Sequence, residues 1–176
     1  MRWINVNENY LDYLRKVESR IPRTDYGTNK YKPFFGVLFE VGDLYYVTQV
    51  AHAQQRHYNL KQQKDFFKIF DPKNPNRLIA VVNLNYMFPI PKVQTTFFEK
   101  KEIHTYRTFK NEIEKSKYID LLDIELFVIN SMDIGTKAKE LYNLKYDKPE
   151  HIVSKRCIDF KKMEQLAIQY KNKDTN

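Results

Sequence analysis

Cysteine occurs once in these 176 residues, at position 157, and glycine and histidine occur four times each. A single thiol cannot cross-link the fold. Among apolar neighbours, Cys157 reads as the inert, reduced thiol of a cytosolic protein. So few glycines leave no phosphate-cradling P-loop and no dinucleotide fingerprint. No apolar run reaches the ~18 residues of a membrane span. The opening Met-Arg-Trp-Ile-Asn-Val-Asn-Glu is too polar for a signal peptide, so a cytoplasmic protein with no membrane partner is expected. His52 and His57 stand five apart, off one helix face, and no cysteine or carboxylate cluster completes a ligand set around them. Neither a metal nor another cofactor is expected.

What is present is positive charge and tyrosine. Lys and Arg number 30 against 22 Asp and Glu, a net of +8. Residues 1–110 hold 18 basic and 10 acidic side chains, whereas residues 111–176 hold 12 of each, so the excess lies wholly in the first part. Localised positive charge attracts polyanions, nucleic acid first among them. The 13 tyrosines cluster partly among cations, as in Tyr26-Gly-Thr-Asn-Lys30-Tyr31-Lys32 and Arg56-His57-Tyr58. Rings between cations suit unpaired bases, which stack while the cations hold phosphates. Tyrosine is equally an ordinary strand residue with a polar tip.

The periodicities predict one α+β domain over 1–176, sheet-rich to about 104 and helical over about 105–172. Tyr10, Tyr13, Leu14 and Val17 recur at helical spacing behind Asn7, a plausible N-cap. β-rich runs at 34–40 and 44–50, parted by Gly42-Asp43, read as a hairpin. Further strands are expected at 66–70, 78–87 and about 92–98, with Phe88-Pro-Ile-Pro91 breaking the chain between the last two. A wide apolar face over 118–130 predicts a largely buried helix. Two more helices are expected at about 134–144 and 149–170. The architecture is then a twisted antiparallel sheet covered by a neutral helical layer.

A series of short blocks runs through this frame. It begins Tyr10-x-x-Tyr13-Leu14, Ile21-Pro22 and Lys32-Pro33-Phe34-Phe35-Gly36-Val37. Tyr46 follows ten residues past Gly36, then a polar turn ending in His57, then Asn83-Leu84-Asn85-Tyr86-Met87-Phe88-Pro89-Ile90. The C-terminal blocks are Tyr118-x-x-Leu121-Leu122, Glu125, Ile129-Asn130, Lys137-Ala138 and Leu141-Tyr142. In order and spacing the series resembles the ToxN/AbiQ family of type III toxin–antitoxin toxins over nearly the whole chain. The resemblance implies a strongly twisted sheet of the MazF/Kid kind. It implies metal-independent RNA cleavage by 2′-hydroxyl attack, leaving a 2′,3′-cyclic phosphate on cellular or phage RNA. It also implies inhibition by a short pseudoknotted repeat RNA that the toxin itself cuts from a precursor. Toxin and RNA would close into a ring, serving phage defence or locus stabilisation. The family's Thr-Ser-x-Lys in the polar turn reads Ala51-His52-Ala53-Gln54 here, without the hydroxyl pair or the lysine. Lys32 falls on a lysine position of the family's cleavage pocket.

Cleaving RNA without a metal needs a proton acceptor, a proton donor and fixed positive charge at the phosphate. His52, at the family's serine position, is the titrating group of the turn. The candidate catalytic set is therefore His52, Lys32 and Thr48, the last as a hydroxyl or donor. The candidate RNA-contacting set is Tyr10, Tyr31, Gln54, Gln55, Arg56 and His57. The structural alternatives are a half-buried strand end for His52, a turn-holding role for His57 and a solvated charge for Lys32. A non-catalytic RNA-binding protein on the same scaffold is the alternative.

Overall fold

The computed structural model describes residues 1–23 and 35–173. The strands are β1 (Trp3–Val6), β2 (Phe35–Val41), β3 (Leu44–His52), β4 (Phe66–Asp71), β5 (Asn74–Asn83), β6 (Phe88–Pro91) and β7 (Thr95–Phe97). The helices are α1 (Glu8–Arg15), α2 (Gln55–Asn59), α3 (Ile103–Tyr106), α4 (Glu112–Ser131), α5 (Ile134–Asp147), α6 (Ile152–Arg156) and α7 (Phe160–Lys173). The seven strands form one antiparallel sheet in the order β4-β5-β3-β2-β1-β7, with β6 paired to β3 off that path. This is the α+β arrangement expected, a twisted sheet followed by helices.

Local chemistry accounts for most of the boundaries. Asn7 caps α1, its side chain accepting from Asn9 N–H at 2.9 Å. The Gly42-Asp43 turn joins β2 to β3, and Gly42 takes the left-handed φ of 54° that glycine adopts without strain. Asn111 caps α4 by accepting from Glu114 N–H at 2.9 Å, so the helix starts at Glu112, ahead of the apolar periodicity over 118–130.

Three expectations need correction. Phe88–Pro91 does not break the sheet but forms β6, pairing Leu44↔Pro91 and Tyr46↔Pro89. Pro89 and Pro91 occupy alternate positions, so both missing N–H groups fall on the edge away from β3, where a proline costs no ladder bond. The helix expected over 149–170 is two helices. Ile158 leaves the helical path fully buried and donates its N–H to Asn85 O at 3.0 Å, and Asp159 opens α7 by accepting from Lys162 N–H at 3.1 Å. Finally, α4 is only half-buried: Leu122, Glu125 and Ile129 are covered, while Phe127 is 68% and Ile113 67% exposed. Strand and helix side chains share one hydrophobic core running from Trp3 and Ile4 through Tyr46 and Phe88 to Phe160 and Ala167.

Candidate active site

Register places the end of β3 against the helical layer. Opposed residues of an antiparallel sheet point to the same face. Trp3 stands opposite Gly36 and Gly36 opposite Thr48. Farther along, Val50 faces Val82 and Phe67, and His52 faces Ala80 and Ile69. Thr48, Val50 and His52 alternate along β3, so they share the face that carries Trp3. Gly36 keeps this row low: a Cβ there would lie 2.1 Å from the Met1 sulfur. Over the row lies α4, held by the Trp3 indole N–H donating to Leu122 O at 3.3 Å and by Asn130 bonding the Met1 main chain.

A cleft results where the strand runs out from under the helix. Trp3, Val50, His52, Tyr118, Leu121, Leu122 and Glu125 line a cavity of about 40 Å³ there. His52 is exposed at its mouth, and Glu125, 6% exposed, is in its wall. Burial pushes the Tyr118 hydroxyl above its usual range, opposed by the Arg107 guanidinium and reinforced by Glu125. Arg107 stacks on that ring at 4.5 Å. The cleft therefore combines an accessible imidazole, a buried carboxyl group, a neutral phenol and a guanidinium. Such a set can move a proton at a phosphate and balance its charge.

The polar turn beyond His52 lies across the other face. The His57 ring packs 6.2 Å from Phe66, the neighbour of Phe67 and so on the opposite side of β4. His57 is 7% exposed. Its Nδ1 accepts from Gln54 N–H at 3.1 Å while its own N–H donates to Gln54 O at 2.8 Å. Its main-chain bonds thus tie the ring and the turn together. Arg56 Nε–H points at Nε2 from 3.3 Å, so a cation lies against the ring on that side. Burial, then the charges of Arg56 and Lys68, hold the His57 pKa below the ordinary imidazole value. Gln54, Gln55 and Arg56 are exposed, and Lys68 Nζ donates to Tyr58 O at 2.7 Å.

Several candidates leave the site. Tyr10 is fully buried and its hydroxyl donates to Pro89 O at 2.7 Å; it pins α1 to β6 and cannot stack on a base. Thr48 is 1% exposed and donates to Asn83 O at 3.0 Å, so its hydroxyl is committed to the main chain. His57 holds the turn together. Lys32 and Tyr31 lie outside the described residues. In exchange the structure brings Glu125, Tyr118 and Trp3 to His52. Sequence reasoning listed Glu125 and Tyr118 in a helix, but the 73 positions between His52 and Glu125 hid the contact.

Elsewhere the molecule offers less. A wider cavity, about 700 Å³ between residues 62–64, Phe67 and α5, contains none of the candidates and mixes Lys64, Lys137 and Lys148 with Glu140 and Asp147. Burial pushes the Cys157 thiol up to about 11, which keeps it protonated and unreactive at neutral pH. Among the described residues, no three His, Cys, Asp or Glu are grouped to hold a metal ion, and no helix is long and apolar enough to cross a membrane.

Comparison with known proteins places this geometry. The family model described as toxin ToxN of the type III toxin–antitoxin system matches residues 2–168. The chain belongs to that family. The endoribonuclease ToxN of Bacillus thuringiensis subsp. kurstaki is 26% identical over 96% of this chain and 84% of its own length. The structure of AbiQ, a lactococcal anti-phage endoribonuclease of the type III system, superposes with a TM-score of 0.76 at 20% identity, covering 97% of this chain and 98% of its own. A structure concerned with selective toxin inhibition by a non-coding RNA pseudoknot in type III systems follows at 0.74 and 18%, with 97% of each chain covered. The sheet and helical layer described above are thus the family fold.

Proposed function

We propose that this chain is an endoribonuclease that cuts RNA without a metal, and that His52 transfers the proton at the scissile phosphate. The 2′-hydroxyl attacks the adjacent phosphorus, the 5′-oxygen leaves with a proton, and a 2′,3′-cyclic phosphate remains. Lys32 supplies positive charge to the phosphorane, and Gln54, Gln55 and Arg56 hold the flanking strand. The carrying observation is the position of His52: a titratable ring, exposed at the mouth of a cleft, at the end of the strand that pairs with β2. Support comes from the family and from relatives that are endoribonucleases.

By the same reading, a short pseudoknotted RNA, cut from a repeat-containing precursor, inhibits the chain in the cytoplasm. RNA and protein alternate in a closed ring, and release of the toxin defends against phage or stabilises the locus. The structure solved with reference to an RNA pseudoknot supports the partner class.

Expressed alone in bacteria, the chain should arrest growth, and the cognate repeats should restore it. Purified protein should cut RNA at an undiminished rate in chelator, with products ending in a cyclic phosphate. The Ala51–Gln54 replacement favours one competing reading, an RNA-binding protein that no longer cleaves. Tight binding of intact RNA with no cleavage would establish it.

A further inference from the structure

We propose that a second cavity, which shares Trp3 with the His52 cleft, is a base-binding subsite and takes one unpaired base of the RNA beside the scissile phosphate. This rests on the reading of the chain as an RNA-cleaving enzyme with its chemistry in the His52 cleft.

The two cavities have a common wall. Trp3 and Leu122 line the His52 cleft, and both also line a cavity of about 290 Å³ between α4 and β7, the last strand of the sheet. The Trp3 indole N–H, bonded to Leu122 O at 3.3 Å, holds that wall in place. Adjacent nucleotides of one strand can therefore enter adjacent cavities, a phosphate at His52 and a base beyond Trp3.

Form and composition select a base. Phe97 and Phe98 join Trp3 on the sheet side, and Ile119 and Leu126 join Leu122 on the helix. Aromatic and aliphatic walls suit a flat ring, and every base has such a face. The volume lies at the small end of the ~300–1,000 Å³ of ligand pockets, which suits one ring system. Phe97 is 48% exposed, so its ring is open to an incoming base.

The charge at the mouth points the same way. Lys100 and Asp123 there neutralise each other at 2.6 Å. Arg2, also at the mouth, pairs with no carboxylate among the described residues. It donates to the Tyr45 hydroxyl at 3.0 Å and lies 3.8 Å from the centre of the Phe97 ring. A guanidinium beside an aromatic-walled cavity matches single-stranded RNA, with the base on the ring and the phosphate on the cation. An apolar peptide or a lipid would leave that charge unbalanced.

The test uses full-length protein and short single-stranded oligoribonucleotides spanning a cut that the wild type makes, each with one base removed. In wild type, one abasic position next to the cut should lower kcat/KM about 10–10²-fold, the loss of one base–aromatic stack. Phe97→Ala should melt close to wild type, because the ring is half-exposed, and should cut intact RNA about tenfold less efficiently. The same abasic position should then cost it less than about twofold, since base and ring act as one pair. Arg2→Gln should lower RNA affinity severalfold and the salt dependence by about one phosphate contact. If Phe97→Ala does not fold, Leu126→Trp, which fills the cavity, should erase the abasic effect in its place. An abasic scan that is the same in wild type and in these variants overturns the subsite. So does a wild-type dimer that Phe97→Ala dissolves with the scan unchanged, which would make the cavity a contact between copies. Failure of the parent reading looks different: the wild type then cuts no RNA, and the subsite falls with it.

Discussion

The end of β3 and the turn that follows it each present a histidine, five residues apart, and the molecule treats them in opposite ways. His52 leaves the sheet on the face of Trp3 and Glu125 and is exposed. His57 lies against Phe66 on the other face, buried, with Nδ1 bonded to the Gln54 main chain. One ring opens onto the cleft that Trp3, Tyr118 and Glu125 line; the other meets Arg56 and Lys68. Residue type is the same in both, so the chemistry is assigned by strand alternation and by which element covers each face.

Substitution at the two rings sharpens this contrast most. His52→Ala should reduce RNA cleavage about 10²–10⁴-fold and relieve toxicity, with RNA affinity nearly unchanged. His57→Ala should act on stability instead, lowering it about 1–3 kcal/mol through the unsatisfied Gln54 N–H and the space left beside Phe66. Folded His57→Ala protein should retain most of its kcat. Cleavage assays beside thermal melts separate the two, and a His57→Ala enzyme that melts normally but does not cut would reverse the assignment.

Tyr10 carries the comparison into the core. Both rings and tyrosines look equally suited to RNA in the sequence, yet Tyr10 is sealed between α1, β6 and Tyr170, whose ring meets it edge-on at 5.0 Å. Tyr10→Ala should cost about 3–5 kcal/mol. Tyr10→Phe, which leaves the Pro89 carbonyl unpaired, should cost about 1–3 kcal/mol. RNA affinity per folded molecule should stay unchanged in both, as measured by titration against the fraction folded.

These cases show what the amino-acid order could reveal. Signals that act within a few residues were readable: the Gly42-Asp43 hairpin, the Asn7 cap, the helical stripe of α4. Asn111 and Glu114 also formed a readable start signal that the apolar pattern alone overlooked. β1 carried no such signal. Four residues become a strand there because β2 and β7 pair with both edges. The site divides in the same way. His52 stood out as a titrating residue in a polar turn, whereas Glu125 looked like one more helix residue until the sheet brought Trp3 and His52 beneath it.

The exposed turn should matter to binding rather than to chemistry. Arg56 lies in the open beside Gln54 and Gln55. Arg56→Ala should weaken RNA binding severalfold at low salt and reduce the salt dependence by about one phosphate contact, leaving kcat nearly intact. Lys161→Glu and Lys162→Glu, in the charge-neutral part, should do less. Equal losses at Arg56 and Lys161 would remove the distinction between a basic RNA face and a neutral helical layer.

The smallest effect is the pH dependence of stability that the buried His57 carries. His57 has a folded pKa below the ordinary 6.5, because burial and the neighbouring cations disfavour its charged form. Above that value the ring is neutral in folded and unfolded chains and contributes no slope. As pH falls through it, the unfolded chain takes up the proton first, so stability declines until the folded pKa is passed. His57→Gln should therefore flatten the fall in Tm as pH drops through the unfolded imidazole value of about 6.5. Titrating carboxylates affect variant and wild type alike, so the difference between the two melting curves isolates the His57 ring. Parallel curves for His57→Gln and wild type would mean that the His57 ring titrates alike in the folded and unfolded chain.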